Sequence, residues 1–158
     1  MKKVLVIFLA LIIGLSLSAQ IQNKILGFTL GKTKSSEVYK RYKNDYTFSR
    51  SLDSEHYFVD NVKFAGYYWD VNFGFYNGKL YQVILTSIWG DIASMGEKLK
   101  SSLDDKYRQY LWNSEQNRIL YSDNTNAVQL SIYETKIVLI YLNVPLADQK
   151  HNNEKSEL

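Results

Sequence analysis

The sequence predicts an α+β protein in which two helix-plus-antiparallel-meander units form one sheet with helices packed on one face. Two segments with helical spacing of apolar residues each precede a series of strand-like segments, so the same architecture is used twice. Thirteen tyrosines and a single proline favour long strands, because aromatic side chains suit a pleated surface and proline removes a backbone donor. The length is typical of a single domain, which we expect over residues 20–146.

The first nineteen residues have the order of regions that is typical of a cleavable secretion signal. Two lysines follow Met1, residues 4–17 carry no charge, and small side chains surround Ala19. The uncharged run is about 14 residues long, whereas a membrane-spanning helix needs roughly 20. Cleavage after Ala19 is preferred, and cleavage after Ser18 is the alternative. The sequence thus predicts a periplasmic or secreted protein that has no contact with the membrane after signal cleavage.

The charge and the cysteine content exclude several classes of function. Removal of the signal would take away Lys2 and Lys3 and lower the formal charge from +3 to +1. A nearly neutral chain does not suit nucleic acid, which calls for a dense basic face. The absence of cysteine excludes disulfides, a lipid anchor, cysteine-based metal sites and a thiol nucleophile. We expect no nucleic-acid partner and no cofactor.

The first unit begins with a short strand or extended lead-in over residues 20–34, followed by a short helix over residues 34–44. Either Thr33 or Ser35 is suited to cap that helix, and Glu37 lies in its first turn, where the helix dipole favours a negative charge. Four strand-like segments follow, and the third alternates most regularly between apolar and polar side chains. The predicted strands are Tyr46–Ser51, His56–Phe64, Tyr67–Tyr76 and Leu80–Ser87.

The turn between the third and fourth of these strands predicts a register. A two-residue Asn77-Gly78 loop would mix apolar and polar side chains on both faces, whereas a three-residue loop that includes Tyr76 would collect the apolar set on one face. The sequence therefore predicts a bulged three-residue turn with Gly78 in the left-handed conformation. The expected cross-strand pairs are Phe75 with Lys79, Phe73 with Tyr81, Val71 with Val83, and Trp69 with Leu85.

The second unit begins with a helix from Asp91 to about Lys106, whose apolar residues recur at near-helical spacing and should dock on the sheet. Three strands, a tight turn and a last strand follow. That last strand is apolar on both faces and is expected to be central, with Pro145 ending it, and residues 147–158 are expected to form a disordered polar tail. The predicted strands are Gln109–Trp112, Arg118–Ser122, Ala127–Tyr133 and Ile137–Val144.

Loose motifs in both units resemble those of a known group of proteins. A glycine precedes a short capped helix over residues 31–42, a hairpin reads Phe-Tyr-Asn-Gly-Lys-Leu over residues 75–80, a second helix ends Leu-Asp-Asp-Lys-Tyr over residues 103–107, and the final apolar strand ends Ile140-Tyr141. The chain resembles small exported proteins of Bacteroidetes-type bacteria with a fold similar to β-lactamase-inhibitor protein. This resemblance covers roughly residues 25–145 and implies a sheet face presented to a partner. The inhibitor's contact residues match no motif here, so it implies no inhibitory activity.

A search for catalytic chemistry finds no convincing constellation. His56 lies in a polar stretch and is interpreted as a solvent-facing histidine near a strand edge, while His151 lies in the tail. Asp104 and Asp105 are neighbours on a helix, point about 100° apart and are interpreted as a solvated face. The oxygen-rich stretch 123–126 lacks the glycine and distal glutamate of a calcium loop, so a β-turn explains it better. We expect no catalytic residue and no metal ligand.

The aromatic residues remain as the candidate binding signal. If the face of the third strand that carries Trp69 meets the helices, the alternate side chains point outward, where flat aromatics beside amides and acids anchor interfaces or stack on sugars. The predicted function is a non-catalytic exported module that binds a protein through this face; the alternatives are a glycan-binding module of the cell envelope and an uncharacterised hydrolase. The candidate partner-binding residues are Tyr68, Asp70, Asn72, Tyr76 and Trp112.

Overall fold

The computed structural model describes residues 20–45 and 47–156, so the predicted secretion signal lies outside the described residues. The elements alternate between helices and antiparallel strands in the predicted order. They are β1 (Lys24–Ile25), β2 (Phe28–Thr29), α1 (Ser35–Tyr42), β3 (Ser49–Arg50), β4 (His56–Phe64), β5 (Tyr67–Tyr76), β6 (Lys79–Ser87), α2 (Ile92–Tyr107), a 3-10 turn (Arg108–Tyr110), β7 (Leu111–Glu115), β8 (Arg118–Ser122), β9 (Asn126–Ile132), β10 (Ile137–Asn143) and α3 (Val144–Ser156).

The strand order confirms the predicted α+β class. Within the described residues, eight antiparallel strands form one large sheet in the order β3-β4-β5-β6-β10-β9-β8-β7, and β1 and β2 form a separate hairpin. Each unit is a helix followed by a four-stranded meander, and the last strands of the two meanders, β6 and β10, pair at the centre. The prediction that the last strand is central is therefore confirmed. Because β6 and β10 are antiparallel, the two units are related by an approximate two-fold axis perpendicular to the sheet.

The register shows how closely the two units correspond. The hairpin β5–β6 turns at Tyr76-Asn77-Gly78-Lys79, and the hairpin β9–β10 turns at the tetrapeptide 133–136, which also begins with Tyr and ends with Lys. In both tetrapeptides the first and last residues face each other across the turn. On β6 and β10, Ile84 lies directly opposite Ile140. From the sequence, only a repeated architecture was predicted. The tyrosine and lysine that both turns share are a feature of that repeat in the sequence itself.

One face of the large sheet packs against α1, α2 and the N-terminal segment to form the core. Trp69, Val59 and Phe73 on the strands are fully buried, and Val38 of α1 is buried against them. The predicted docking of α2 is also seen, since its apolar face contributes the buried residues Met95, Leu99, Leu103 and Tyr107. Burial of this kind is the main favourable term in folding, at roughly 25 cal/mol for each Å² of apolar surface.

The two predicted helix starts have different outcomes. The carboxylate of Asp91 accepts a hydrogen bond from the backbone N–H of Ser94 at 3.1 Å, so the predicted start of α2 is confirmed. Neither predicted cap of α1 was correct, because the Thr33 hydroxyl accepts instead from the backbone N–H of Thr29. The N-cap of α1 is Lys34, whose backbone N–H donates to the side chain of Glu37 at 2.8 Å.

The predicted register of the β5–β6 hairpin is wrong. Tyr76 pairs with Lys79 across a two-residue turn, and both turn residues have positive φ, 49° for Asn77 and 69° for Gly78, as two-residue hairpin turns require. The shift in register occurs deeper in the hairpin, where Gly74 pairs with Gln82 while Phe75 pairs with Leu80. Tyr81 is the extra residue of this bulge. The bulge keeps the apolar residues on one face. The predicted three-residue turn would have had the same effect at a different place in the hairpin.

Several predicted boundaries also shift. Of the expected strand at Tyr46–Ser51, the described part pairs only at Ser49–Arg50. The expected strand at Gln109–Trp112 begins instead at Leu111 and extends to Glu115, because residues 108–110 form a 3-10 turn at the end of α2. These two strands are the edges of the large sheet, where one partner strand is missing and local sequence determines the ends less firmly.

The expected disordered tail is wrong over the described residues, because α3 covers Val144–Ser156. The last strand ends at Asn143, and Pro145 lies in the first turn of α3. Proline is tolerated there because a backbone N–H in the first turn has no hydrogen-bond partner within the helix. The Asn143 side chain accepts a hydrogen bond from the backbone N–H of Leu146 at 3.2 Å and so caps the helix. Asparagine is a favoured N-cap residue, and proline is tolerated in the first helical turn, so these two residues are compatible with a helix start at Val144.

Candidate binding face of the sheet

The large sheet has a second face that α1 and α2 do not cover, which we call the outer face. Along β5, Trp69 and Val71 point into the core, so Tyr68, Asp70 and Asn72 point to the opposite side. Tyr68 is exposed, and Asp70 and Asn72 are half-buried. The structure thus places three of the candidate residues on one face, in the outward orientation that the alternation of β5 predicts.

The centre of the outer face is aliphatic. Ile84 of β6 lies opposite Ile140 of β10, and Val138 and Leu142 lie two residues to either side of Ile140 on the same strand. We call these four residues the aliphatic patch; all four are half-buried. The sequence predicts that β10 is apolar on both faces, but the four residues of the patch are not among the predicted site residues. The pairing of β6 with β10, which joins two segments more than fifty residues apart, is what brings them together.

Amide side chains flank the patch on both sides. Asn72 lies opposite Ile84, and Gln129 lies opposite Ile140, so each amide occupies the equivalent position in its own unit. Both are half-buried. Asn72, Ile84, Ile140 and Gln129 thus form one row across the four central strands, which we call the central row. None of the four carries a charge, so the middle of the outer face combines apolar surface with amide donors and acceptors.

The aromatic residues of β4 and β5 form one side of the outer face. Phe58 pairs with Asn72 across the strands and is 38% exposed, while Tyr68 is 54% exposed. The imidazole of His56 stacks on the Phe58 ring, and its Nδ1 lies 3.0 Å from Oδ1 of Asn72. His56 therefore contacts an amide rather than a carboxylate. It is half-buried one strand in from the edge, a less open position than the sequence analysis expected.

Trp112 is highly exposed, at 71%, but it lies apart from the other candidate residues. It is the bulge residue of β7, the edge strand, and four strands separate β7 from β5. With neighbouring strands about 4.8 Å apart, five steps separate the two strands by roughly 24 Å across the sheet. The other four candidate residues all lie along β5, so the structure does not bring Trp112 to the strand that carries them.

Tyr76 is on the outer face but is half-buried by α3. The side-chain amide of Asn153 donates a hydrogen bond to the Tyr76 hydroxyl, and Nζ of Lys150 lies 5.8 Å from the centre of the Tyr76 ring. Lys150 also forms ion pairs with Glu55 at 2.7 Å and with Glu154 at 3.1 Å. The candidate residues at the two ends of β5 thus lie in different environments, because the end near Tyr76 is covered.

The bulge residue Tyr81 lies under the same helix. Its ring rests against Gly74, where a Cβ would lie 3.1 Å from Tyr81 Cε1, so the glycine makes room for the ring. Tyr81 is only 8% exposed, and burial raises the pKa of its hydroxyl. The charged groups nearest to it are Lys150, Glu154 and Glu55. Under α3, the outer face therefore continues from the aliphatic patch into an aromatic region formed by Tyr76 and Tyr81.

The acidic residues examined for chemistry have structural partners. Asp104 accepts a hydrogen bond from the hydroxyl of buried Tyr121 at 2.5 Å, so its interpretation as part of a purely solvated face is wrong. Asp123 accepts the backbone N–H groups of Thr125 and Asn126, which confirms the predicted turn, and also that of Ile21. Among the described residues, no group of histidine and acidic side chains is arranged to hold a metal ion.

The described surface includes depressions of several hundred Å³. One, of about 450 Å³, is lined by residues that include Glu55, Tyr76 and Lys150 and lies where α3 meets β5. Another, of about 540 Å³, is lined by Asp105, Lys106, Arg108 and Gln109 at the end of α2. Both are lined mainly by polar and charged side chains on the surface.

Comparisons with known proteins give no relative: no family model, no curated protein and no solved structure matches this chain. In the part of the chain that the structure describes, every helix is too short or too polar to span a membrane. The fold and its open face define the class to which the chain can be assigned: an α+β protein built from two helix–meander units.

Proposed function

We propose that this protein is a non-catalytic exported module that binds another protein through the outer face of its large sheet. The observation that carries the proposal is the aliphatic patch, Ile84, Val138, Ile140 and Leu142, at the centre of a face that α1 and α2 leave open. A contiguous apolar patch on a soluble domain marks an interaction site more often than an isolated exposed residue does.

The composition of the outer face supports a protein as the partner. Protein interfaces have an apolar, charge-poor centre with aromatic residues and a polar surround. The central row supplies two isoleucines between two amides, and exposed aromatic rings lie on β4 and β5. The resemblance to β-lactamase-inhibitor protein belongs to this proposal as well, and the order of helix and meander in each unit supports it.

Export forms part of the same proposal. Residues 1–19 have the charge pattern of a secretion signal. Ile21, two residues after the predicted cleavage site, is buried and donates its backbone N–H to Asp123 at 2.8 Å. Expression of the full chain in a bacterial host, fractionation and N-terminal sequencing test it. We expect an extracytoplasmic protein that begins at residue 20, or at residue 19 if cleavage follows Ser18. A cytoplasmic product that retains Met1 contradicts export.

The binding proposal is tested with a charge placed in the aliphatic patch. Ile140→Lys is compared with Lys98→Glu, which changes an exposed charge on α2, on the other side of the sheet. Wild-type protein and both variants are immobilised and exposed to the extracytoplasmic fraction of the organism that encodes the chain. A protein retained by wild type and Lys98→Glu but lost with Ile140→Lys is then purified, and its affinity is measured directly. Equal retention by all three contradicts the use of this face.

The exposed rings of Phe58 and Tyr68 favour a glycan as the second candidate. Aromatic faces stack on sugars, and the amide of Asn72 lies opposite Phe58 on the neighbouring strand. Binding to isolated envelope polysaccharide is therefore measured for wild type and for Phe58→Ala with Tyr68→Ala. Binding that the double variant abolishes and Ile140→Lys retains supports the glycan module over the protein-binding module.

A further inference from the structure

The C-terminal helix α3 buries no side chain completely. Its apolar residues Val144, Leu146 and Ala147 are half-buried near its start. Its polar contacts include the backbone hydrogen bond from Val144 to Thr125, the ion pair of Lys150 with Glu55, the position of Lys150 over the Tyr76 ring, and the hydrogen bond from Asn153 to Tyr76. A helix that stays in place through a continuous apolar stripe would bury several large side chains, as α2 does.

The polar contacts that hold α3 are partly exposed to solvent. The side chain of Glu55 is 42% exposed and that of Lys150 is 19% exposed. The hydrogen bond from Lys150 to Glu55 raises the pKa of the lysine, so the lysine is charged under ordinary conditions. Ion pairs of this kind contribute little to stability, and salt screens them. Their loss would therefore release α3 at a small cost compared with opening of the sheet.

The surface beneath α3 continues the aliphatic patch. Leu142, at one end of the patch, lies opposite Gln82 on β6, and Gln82 pairs with Gly74, against which Tyr81 rests. With α3 in place Tyr81 is almost completely buried and Tyr76 is half-buried, whereas Tyr133, the counterpart of Tyr76 in the second unit, is 49% exposed. Removal of α3 would therefore add two tyrosine rings, those of Tyr76 and Tyr81, to one end of the patch.

We propose that α3 is a displaceable cover over one end of the outer face, and that it opens while the sheet stays folded. The opening point is the junction at Asn143, where β10 passes directly into α3 without an intervening loop. A released helix of this length is marginal in water, so opening also unravels α3. The biological role of the cover, control of access to the binding face, rests on the proposed function; its opening does not.

The first test is amide hydrogen exchange of the full mature chain, measured by mass spectrometry with no partner present. We expect the amides of residues 146–156 to exchange much faster than those of β5, β6 and β10. Raising the salt concentration from about 0.02 M to about 0.5 M should speed their exchange by about threefold without affecting the central strands. Protection of α3 equal to that of the central strands and independent of salt overturns the proposal.

The second test breaks and then restores the ion pair. Lys150→Glu places a negative charge beside Glu55 and Glu154, so we expect the exchange protection of α3 to be lost; Glu55→Lys combined with Lys150→Glu should restore much of it. The matched control is Lys155→Glu, a change of the same charge at an exposed position on the same helix, which should leave the protection unchanged. Equal effects of Lys150→Glu and Lys155→Glu contradict the proposal, because they show a general effect of charge.

The third test reports the uncovered surface. Tetranitromethane nitrates accessible tyrosines, and peptide mapping locates the modified rings. In Lys150→Glu we expect nitration of Tyr81 to rise severalfold over wild type, while exposed Tyr133 is modified in both proteins and core residue Tyr57 in neither. Unchanged nitration of Tyr81 in Lys150→Glu overturns the proposal. Because none of the three tests uses a partner, the cover and the docking proposal fail independently.

Discussion

The indole Nε1 of Trp69 donates a hydrogen bond to the backbone carbonyl oxygen of Phe64 at 2.9 Å. Trp69 belongs to β5 and is completely buried, whereas Phe64 is the last residue of β4. A buried indole N–H generally requires a hydrogen-bond partner, and this bond supplies one. It also links β5 to the end of the neighbouring strand β4.

Replacement of Trp69 by phenylalanine should destabilise the protein by about 2 kcal/mol, because it leaves a cavity and an unpaired carbonyl. Trp112→Phe is the matched control, since its side chain is largely exposed, and should change the stability by less than about 0.5 kcal/mol. Urea unfolding of both variants measures the difference. A loss of stability that is the same at both positions contradicts the placement of Trp69 in the core.

The two-residue turn of the β5–β6 hairpin makes a specific prediction at Gly78. Its φ of 69° favours glycine, so Gly78→Ala should destabilise the protein by about 1 kcal/mol. Asn77→Gly places glycine at the other positive-φ position and should be close to neutral. The predicted three-residue loop also requires a left-handed Gly78, so the chemical unfolding midpoint of Asn77→Gly is the measurement that distinguishes the two turns.

The packing of α2 on β9 is tight at Gly96. A Cβ built at Gly96 would lie 2.9 Å from Cδ1 of Ile132, so we expect Gly96→Val to cost about 2 kcal/mol through overpacking. In an Ile132→Ala background the same change should cost much less, because the obstructing side chain is gone. A double-mutant cycle in urea measures this coupling, and strictly additive losses would show that the helix does not lie on Ile132.

Alkaline pH should unfold the protein through its buried tyrosines. Burial, with a smaller contribution from Tyr107, raises the pKa of Tyr141 well above its ordinary value, and burial together with the hydrogen bond to Asp104 does the same for Tyr121. Because the unfolded chain loses these protons first, the stabilisation is complete below about pH 10 and declines as the pH rises further. Each such group adds a slope of about 1.4 kcal/mol for each pH unit.

Tyr141→Phe should therefore reduce the steepness of the alkaline loss of stability, whereas Tyr133→Phe, on the exposed side of a turn, should leave it unchanged. Urea unfolding at a series of pH values from neutral to strongly alkaline gives the slopes. Identical slopes for wild type and Tyr141→Phe would show that the Tyr141 hydroxyl is already accessible in the folded state.

The sequence predicts the fold class and the face of β5 because period-two alternation reports directly which side chains are buried. It does not predict the hairpin register, since the bulge at Tyr81 places two consecutive buried residues, Leu80 and Tyr81, where simple alternation allows one. Local patterns also miss the aliphatic patch. Ile84 and Ile140 become neighbours only through the pairing of the two meanders, which no local pattern encodes.

The prediction of the C-terminal region failed for a different reason. Helix α3 has few apolar residues, so hydrophobic periodicity gives almost no signal there. Pro145 predicts the end of a strand equally well, and nothing in the local pattern distinguishes that from a helix start. The selection of Trp112 as a candidate residue failed because the sequence does not give the strand order. Exposure of an aromatic residue can be inferred from its place at an element end, but its distance from other candidates depends on the strand order.

The approximate two-fold relation between the meanders holds for some positions of the outer face and fails for others. Rotation by half a turn about the β6–β10 pair places Asn72 where Gln129 lies. The same rotation exchanges the polar outer residues of β6 with the aliphatic residues that flank Ile140 on β10. Because α3 follows only the second unit, Tyr76 is partly covered and its counterpart Tyr133 is open. The face therefore has a direction of its own, and under the proposed function a partner would meet it in a single orientation.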